Sequence, residues 1–122
     1  MSRKHRILIV EDEAIIALNL AYAVEDVEGE VVGPVGSIAE ALALLDIAPV
    51  SGAVLDANLV DGAVTPLALR LLDLGVPFVL HTGTGLPVEL AAEPVDLSLV
   101  MKPAQATRVV ETLMRKLDPP RR

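Results

Sequence analysis

The stretch Gly52-Ala53-Val54-Leu55-Asp56-Ala57-Asn58 holds a short apolar run, Ala53 to Leu55, that stops at an acid. A glycine borders it on one side and a polar turn on the other. An apolar run with such borders predicts a strand buried on both faces, the kind found inside parallel sheets. Ligands of open α/β sheets sit beyond the carboxyl ends of the strands, so Asp56 is expected at the working rim. Two other runs end in the same manner. Ile7-Leu8-Ile9-Val10 leads into Glu11-Asp12-Glu13, and Leu99-Val100-Met101 leads into Lys102-Pro103.

Outward from this run, strands alternate with helices. Arg6 to Val10 reads as the first strand, followed by a helix from about Glu13 to Val27 that buries Ile16, Leu20 and Val24 with Ala17 and Ala21. Gly29 is expected to stop it. Glu30 to Val35 is a second strand, made irregular or edge-like by Gly33-Pro34. Ser37 and Glu40 form a capping box for a helix carrying Ile38, Ala41, Leu42 and Leu45, ended by Pro49. After the third strand, Gly52 to Asp56, residues Asn58 to Gly62 read as a loop with Asp61-Gly62 as its turn. A helix from about Ala63 to Leu74 follows, with Gly75 as its stop. Val76 to His81 is the fourth strand, ending at Thr82. Leu86 to Glu93, between Pro87 and Pro94, has room for two helical turns at most. A fifth strand, about Leu97 to Met101, and a last helix, about Ala104 to Leu117, complete the pattern. Five β-α units predict one α/β domain over residues 1–122, with a core of about 6–117 and a short basic, proline-rich tail at 118–122. The expected architecture is a five-stranded parallel sheet of order 2-1-3-4-5 with helices on both faces.

Composition removes several functions. The 122 residues carry a net charge of −7, against the basic face that non-specific nucleic-acid binding needs. Tyr22 and Phe78 are the only aromatics, too few for base stacking. No cysteine is present, which removes disulfides, thiol nucleophiles and cysteine zinc sites. No apolar run approaches the ~18 residues of a membrane span. The basic start Arg3-Lys4-His5-Arg6 lacks the long apolar core of a secretory signal, so the protein is expected in the cytoplasm.

In the 2-1-3-4-5 order, the ends of the first, third and fifth strands meet. Glu11, Asp12 and Asp56 would then crowd three negative charges together, which a divalent cation with oxygen ligands, Mg²⁺ or Mn²⁺, would offset. Lys102 supplies a fixed positive charge from the other side and Thr82 a hydroxyl. The set describes a carboxylate attacking phosphorus while cations neutralise the other phosphoryl oxygens. Asp56 is the best nucleophile because it ends the central strand, and Glu11 and Asp12 are better metal ligands. Each residue alone has a plainer reading: an acid after a strand as a helix N-cap, Lys102 as a solvated lysine, Thr82 as a turn former. All of them nevertheless fall at strand ends. His81 alternates away from Thr82 and is expected to pack beneath a helix.

Val10-Glu11-Asp12-Glu13, Asp56, Thr82 and Lys102-Pro103, in this order, resemble the receiver domain of two-component response regulators, over about Arg6 to Leu117. The resemblance implies a flavodoxin-like, CheY-like (βα)5 fold with a short or degenerate fourth helix. It implies that Asp56 accepts a phosphoryl group from a sensor histidine kinase. Mg²⁺ would be bound by Asp12, Asp56 and the backbone carbonyl of Asn58, with Glu11 acting through water. Lys102 would pair with the phosphoryl group, Thr82 would move toward it and Gly83 would leave room for it. Asn58 and Thr84 match positions that tune dephosphorylation, and Lys102-Pro103 matches a cis peptide at Pro103. Three features depart from the usual pattern. Leu99 stands where an aromatic switch residue is usual, the loop after Asp56 is short and lacks its proline, and the fourth helix is squeezed. With Pro77 to Gly85 and Asp56 to Gly62, they resemble the FATGUY subclass, often stand-alone receivers. The implied kinase is of the HWE/HisKA2 type. Output would pass by protein contact or phosphorelay through a phosphotransfer protein, from a monomer or weak homodimer, without nucleic acid or membrane. Order and disorder of residues 83–96 are expected to carry the signal in place of an aromatic at position 99.

Two enzyme or cofactor readings compete. A haloacid-dehalogenase phosphatase needs an acid two residues after its nucleophile, where Asn58 stands, and a carboxamide is no general acid. A flavodoxin needs a phosphate loop after the first strand, where Glu11-Asp12-Glu13 would repel phosphate. A pseudo-receiver that only binds partners would not need the full acidic set and Lys102.

Overall fold

The computed structural model describes residues 4–59, 61–83 and 98–118. Thr84, the expected short fourth helix, most of the segment 83–96 and the end of the tail lie outside the described residues. The described elements are β1 (Arg6–Val10), α1 (Ala14–Asp26), β2 (Glu30–Val35), α2 (Ile38–Ile47), β3 (Gly52–Asp56), β4 (Asn58–Leu59), β5 (Gly62–Ala63), α3 (Thr65–Leu74), β6 (Phe78–Thr82), β7 (Ser98–Met101) and α4 (Ala106–Leu117).

The main sheet has five strands in the order β2-β1-β3-β6-β7, all pairs parallel. With the small β4–β5 pair set aside, this is the expected 2-1-3-4-5 order. β3 is buried along its whole length, as its apolar run requires. The ladder between β1 and β2 slips between Leu8 and Val10, opposite Gly33-Pro34, so the irregularity read at that dipeptide is real and sits on an edge strand. The Gly33–Pro34 and Lys102–Pro103 peptide bonds are both cis.

Side-chain alternation along the strands divides the core into two layers. Leu8, Val10, Ala53, Leu55, Phe78 and Leu80 face α2 and α3. Ile7, Ile9, Val54, Val79 and Val100 face α1 and α4, where Leu20, Val24, Val109, Val110 and Leu113 complete the packing. Each fully buried Leu or Ile contributes about 1.5–3 kcal/mol of transfer free energy, so these two layers dominate stability.

The ends of α1 and the loop after Asp56 differ from the sequence reading. Glu28, at φ 63°, takes the left-handed conformation after α1, and Gly29 does not. Gly29 is needed for closeness instead: a Cβ there would lie 2.7 Å from Val24 Cγ1. Where the sequence suggests only a loop, Asn58 pairs with Ala63 and Leu59 with Gly62 in a two-residue antiparallel ladder. α3 accordingly starts at Thr65, two residues later than read, with Pro66 in its first turn.

Candidate functional site

Strand register brings the expected residues to one edge. Val10 is level with Leu55, so Glu11 and Asp56 emerge side by side. Asp56 is level with His81 and Thr82 with Met101, so Lys102 follows one step beyond Thr82. The Lys102 amide donates to the Thr82 carbonyl at 2.7 Å, which fixes where the lysine leaves the sheet.

Glu11, Asp12 and Asp56 each present a carboxylate oxygen within 4.8 Å of the others. Glu11 and Asp56 are buried and Asp12 is exposed, so the cluster opens to solvent on the Asp12 side. Nζ of Lys102 stands 3.3 Å from Glu11 Oε1, 3.6 Å from Asp56 Oδ2 and 3.8 Å from Glu13 Oε2. The Asn58 amide donates to Asp56 Oδ1 at 3.2 Å, and the Glu13 amide to Glu11 Oε2 at 3.2 Å. Thr82 is fully buried at the end of β6. Asn58, Pro103 and Gly83 are exposed, and a Cβ built on Gly83 meets no atom within 4 Å among the described residues. Leu99 is partly exposed on the edge strand β7, level with Leu80.

Electrostatics set what this edge tolerates. Two like charges about 4 Å apart repel by about 4 kcal/mol at an effective dielectric near 20. Three carboxylates against one ammonium leave two negative charges uncompensated. Burial, followed by contact with Asp56, pushes the Glu11 carboxyl up to about 7. Burial works against the Lys102 ammonium, but Glu11, Asp56 and Glu13 together outweigh it and raise its pKa. Glu11 Oε1 is buried and accepts no hydrogen bond among the described residues. An all-oxygen donor set whose three carboxylates face one ammonium, with Glu11 Oε1 buried and ion-paired but not hydrogen-bonded, fits a hard divalent cation.

Sequence reasoning missed three features of this region. Glu13 joins the Lys102 cluster, a contact implied only by its place directly after Asp12. Asp61 bonds to α2, described below. His81 is buried beneath α1 as expected, yet both its ring nitrogens lack partners among the described residues. It lines a cavity of about 230 Å³ with Ile16, Leu20, Lys102, Pro103 and Ala104. Burial, and secondarily the Lys102 charge, hold its pKa below the ordinary value.

No family model matches the sequence, and no curated protein matches it. Solved structures do. SdrG from Sphingomonas melonis Fr1 is 32% identical, with a TM-score of 0.77 over 96% of this chain and 98% of that one. A CheY-like response regulator receiver domain protein from Methanospirillum hungatei JF-1 is 26% identical, with a TM-score of 0.82 over 95% of each chain. The chain belongs to the receiver domains of response regulators. A further solution structure, titled as the BeF3-activated conformation of SdrG from Pseudomonas melonis Fr1, is 34% identical to this receiver. It has a TM-score of 0.73 over 96% of this chain and 99% of that one. The receiver fold accounts for the edge at which the acids and Lys102 meet.

Proposed function

We propose that this receiver takes a phosphoryl group onto Asp56 from the phosphohistidine of a sensor histidine kinase. The observation that carries the reading is the single cluster formed by Glu11, Asp12, Asp56 and Lys102. A carboxylate oxygen of Asp56 attacks phosphorus, a P–O bond forms as the P–N bond breaks, and the departing imidazole takes up a proton. Lys102 meets the phosphoryl oxygens with its ammonium, and Thr82 offers its hydroxyl as the group settles. Asp12, Asp56 and the Asn58 carbonyl would hold Mg²⁺ (or Mn²⁺), with Glu11 contributing through water. That cation supplies charge neutralisation at the phosphoryl oxygens. Asn58, Thr84, Gly83, Leu99 and Pro103 are proposed to modulate the lifetime of the phosphoryl group and the response to it.

Partner contact has a surface beside this site. α1 exposes Ile15, Leu18 and Tyr22 at spacings of three and four residues, an apolar stripe beginning just after Asp12. Such a stripe suits packing against a partner helix. The narrower reading, a FATGUY-type receiver, rests on Pro77 to Gly85 and Asp56 to Gly62; with it go a place in the cytoplasm, an HWE/HisKA2-type kinase and signalling by protein contact or phosphorelay. No described helix is long and apolar enough to cross a membrane.

Incubation with acetyl phosphate and Mg²⁺, followed by intact-mass spectrometry, is expected to show one phosphoryl adduct per chain. A chelator added beforehand is expected to prevent it. Absence of any adduct in Mg²⁺, or rapid continuous turnover of phosphate monoesters, would contradict the reading.

A further inference from the structure

The N-terminus of α2 is capped from two directions. Ser37 Oγ accepts from the Glu40 amide at 3.1 Å, and its hydroxyl donates to Glu40 Oε1 at 2.9 Å. The Ala41 amide reaches the Ser37 carbonyl at 3.1 Å. This local box leaves the amides of Ile38 and Ala39 without acceptors, as helix starts do. Asp61, more than twenty residues away, supplies both: Oδ1 accepts from Ile38 at 2.9 Å and Oδ2 from Ala39 at 3.2 Å. These bonds hold the Asp61 carboxyl below its ordinary pKa, the Ile38 bond most of all.

The same residue sits at the tip of the small β4–β5 ladder. Asn58, whose carbonyl the proposed cation uses, lies on that ladder opposite Ala63. The base is closed by the Val64 amide donating to the Ala57 carbonyl at 3.1 Å, and by the Asn58 amide on Asp56 Oδ1. Leu59 and Val64 anchor it in the same core layer as Ile38 and Ala41. An unbroken run of bonded groups therefore joins the Asp56 carboxylate, the ladder, Asp61 and the first turn of α2.

We propose that Asp61 is a positioning residue: by clamping the tip of the β4–β5 ladder to α2, it holds the Asn58 carbonyl where a divalent cation at Asp56 needs it. The inference rests on the cation site proposed above. Binding free energies are reciprocal, so a cation that fixes the ladder also tightens the Asp61 bonds and orders the first turn of α2. α2 is thereby an element whose N-terminal order reports occupancy at Asp56.

The test titrates Mg²⁺ by calorimetry into wild type, Asp61→Ala, Asp61→Asn and Ser37→Ala, with amide hydrogen exchange at Ile38 and Ala39 followed with and without Mg²⁺. Wild type is expected to exchange several-fold more slowly at both amides in Mg²⁺. Asp61→Ala is expected to weaken Mg²⁺ binding about fivefold or more and to lose that response. Asp61→Asn, which keeps one acceptor oxygen, is expected to lie between and serves if the alanine variant does not fold. Ser37→Ala weakens the cap without removing an Asp61 bond, so it is expected to lower Tm and to weaken Mg²⁺ binding much less than Asp61→Ala does. Unchanged affinity in the Asp61 variants, or equal losses in Ser37→Ala, overturns the clamp alone. Wild type that does not bind Mg²⁺ overturns the cation site and the clamp with it.

Discussion

Asp56→Asn is expected to lower phosphoryl uptake from a phosphorylated kinase or acetyl phosphate by roughly a thousandfold or more, the scale on which enzymes lose rate when a nucleophile is deleted. The same substitution is expected to stabilise the fold when Mg²⁺ is absent. Asparagine keeps the shape and an acceptor oxygen for the Asn58 amide, now bonded to Asp56 Oδ1 at 3.2 Å. It removes one of three crowded carboxylates while also removing an attraction to Lys102 at 3.6 Å. Above about pH 7, where Glu11 is ionised as well, repulsion from two acids outweighs one attraction, for a net gain on the order of 1 kcal/mol. Urea unfolding in a chelator measures it. A variant that is less stable than wild type in the chelator would mean that the acids do not repel as their geometry demands.

The second large effect is a dependence of stability on pH that the cation removes. Glu11 is raised from 4.5 to about 7 by burial and then by Asp56. Above pH 4.5 the unfolded chain releases this proton while the folded protein retains it, up to about pH 7. The native state then binds more protons, so stability falls as pH rises through this window. The whole penalty is on the order of 3 kcal/mol and persists above pH 7. Metal-free protein is therefore expected to lose Tm between pH 5 and pH 7.5, beyond any change seen in Glu11→Gln. Saturating Mg²⁺ is expected to flatten the profile, because a nearby dication favours the ionised carboxyl. A metal-free profile that rises over this range and matches Glu11→Gln would show that Glu11 is ordinary.

Strand ends made most of this site legible. Asp56, Glu11 and Lys102 each follow an apolar run whose length and borders mark a buried strand, and parallel register then aligns their ends without further information. Helices on both faces follow from the β-α alternation, and the structure splits neighbours such as Ile7 and Leu8 between the two core layers. What stayed hidden depends on contacts distant in sequence or on local backbone choice. Asp61-Gly62 is a proper turn signal, and Gly62 does take a positive φ of 129°. Nothing local to Asp61 announces that its carboxylate serves Ile38 and Ala39. The β4–β5 ladder is two residues long on each side, too short for any periodicity to register. Glycine usually takes the left-handed position that ends a helix, whereas Glu28 takes it here and Gly29 answers to the nearness of Val24. His81 shows the same limit: alternation points it beneath a helix, but reveals neither that the helix is α1 nor the cavity its ring lines.

The central claim is that one named carboxylate, held between two other acids and an ammonium, carries the phosphoryl group. Borohydride reduction of the phosphorylated receiver, followed by peptide mapping, tests it most directly, because only an acyl phosphate is reduced to the alcohol. The account predicts a single reduced residue, at Asp56, and none when Mg²⁺ is withheld. Reduction at Asp12 or Glu11 instead, or at no residue in protein that carries phosphate, would contradict it.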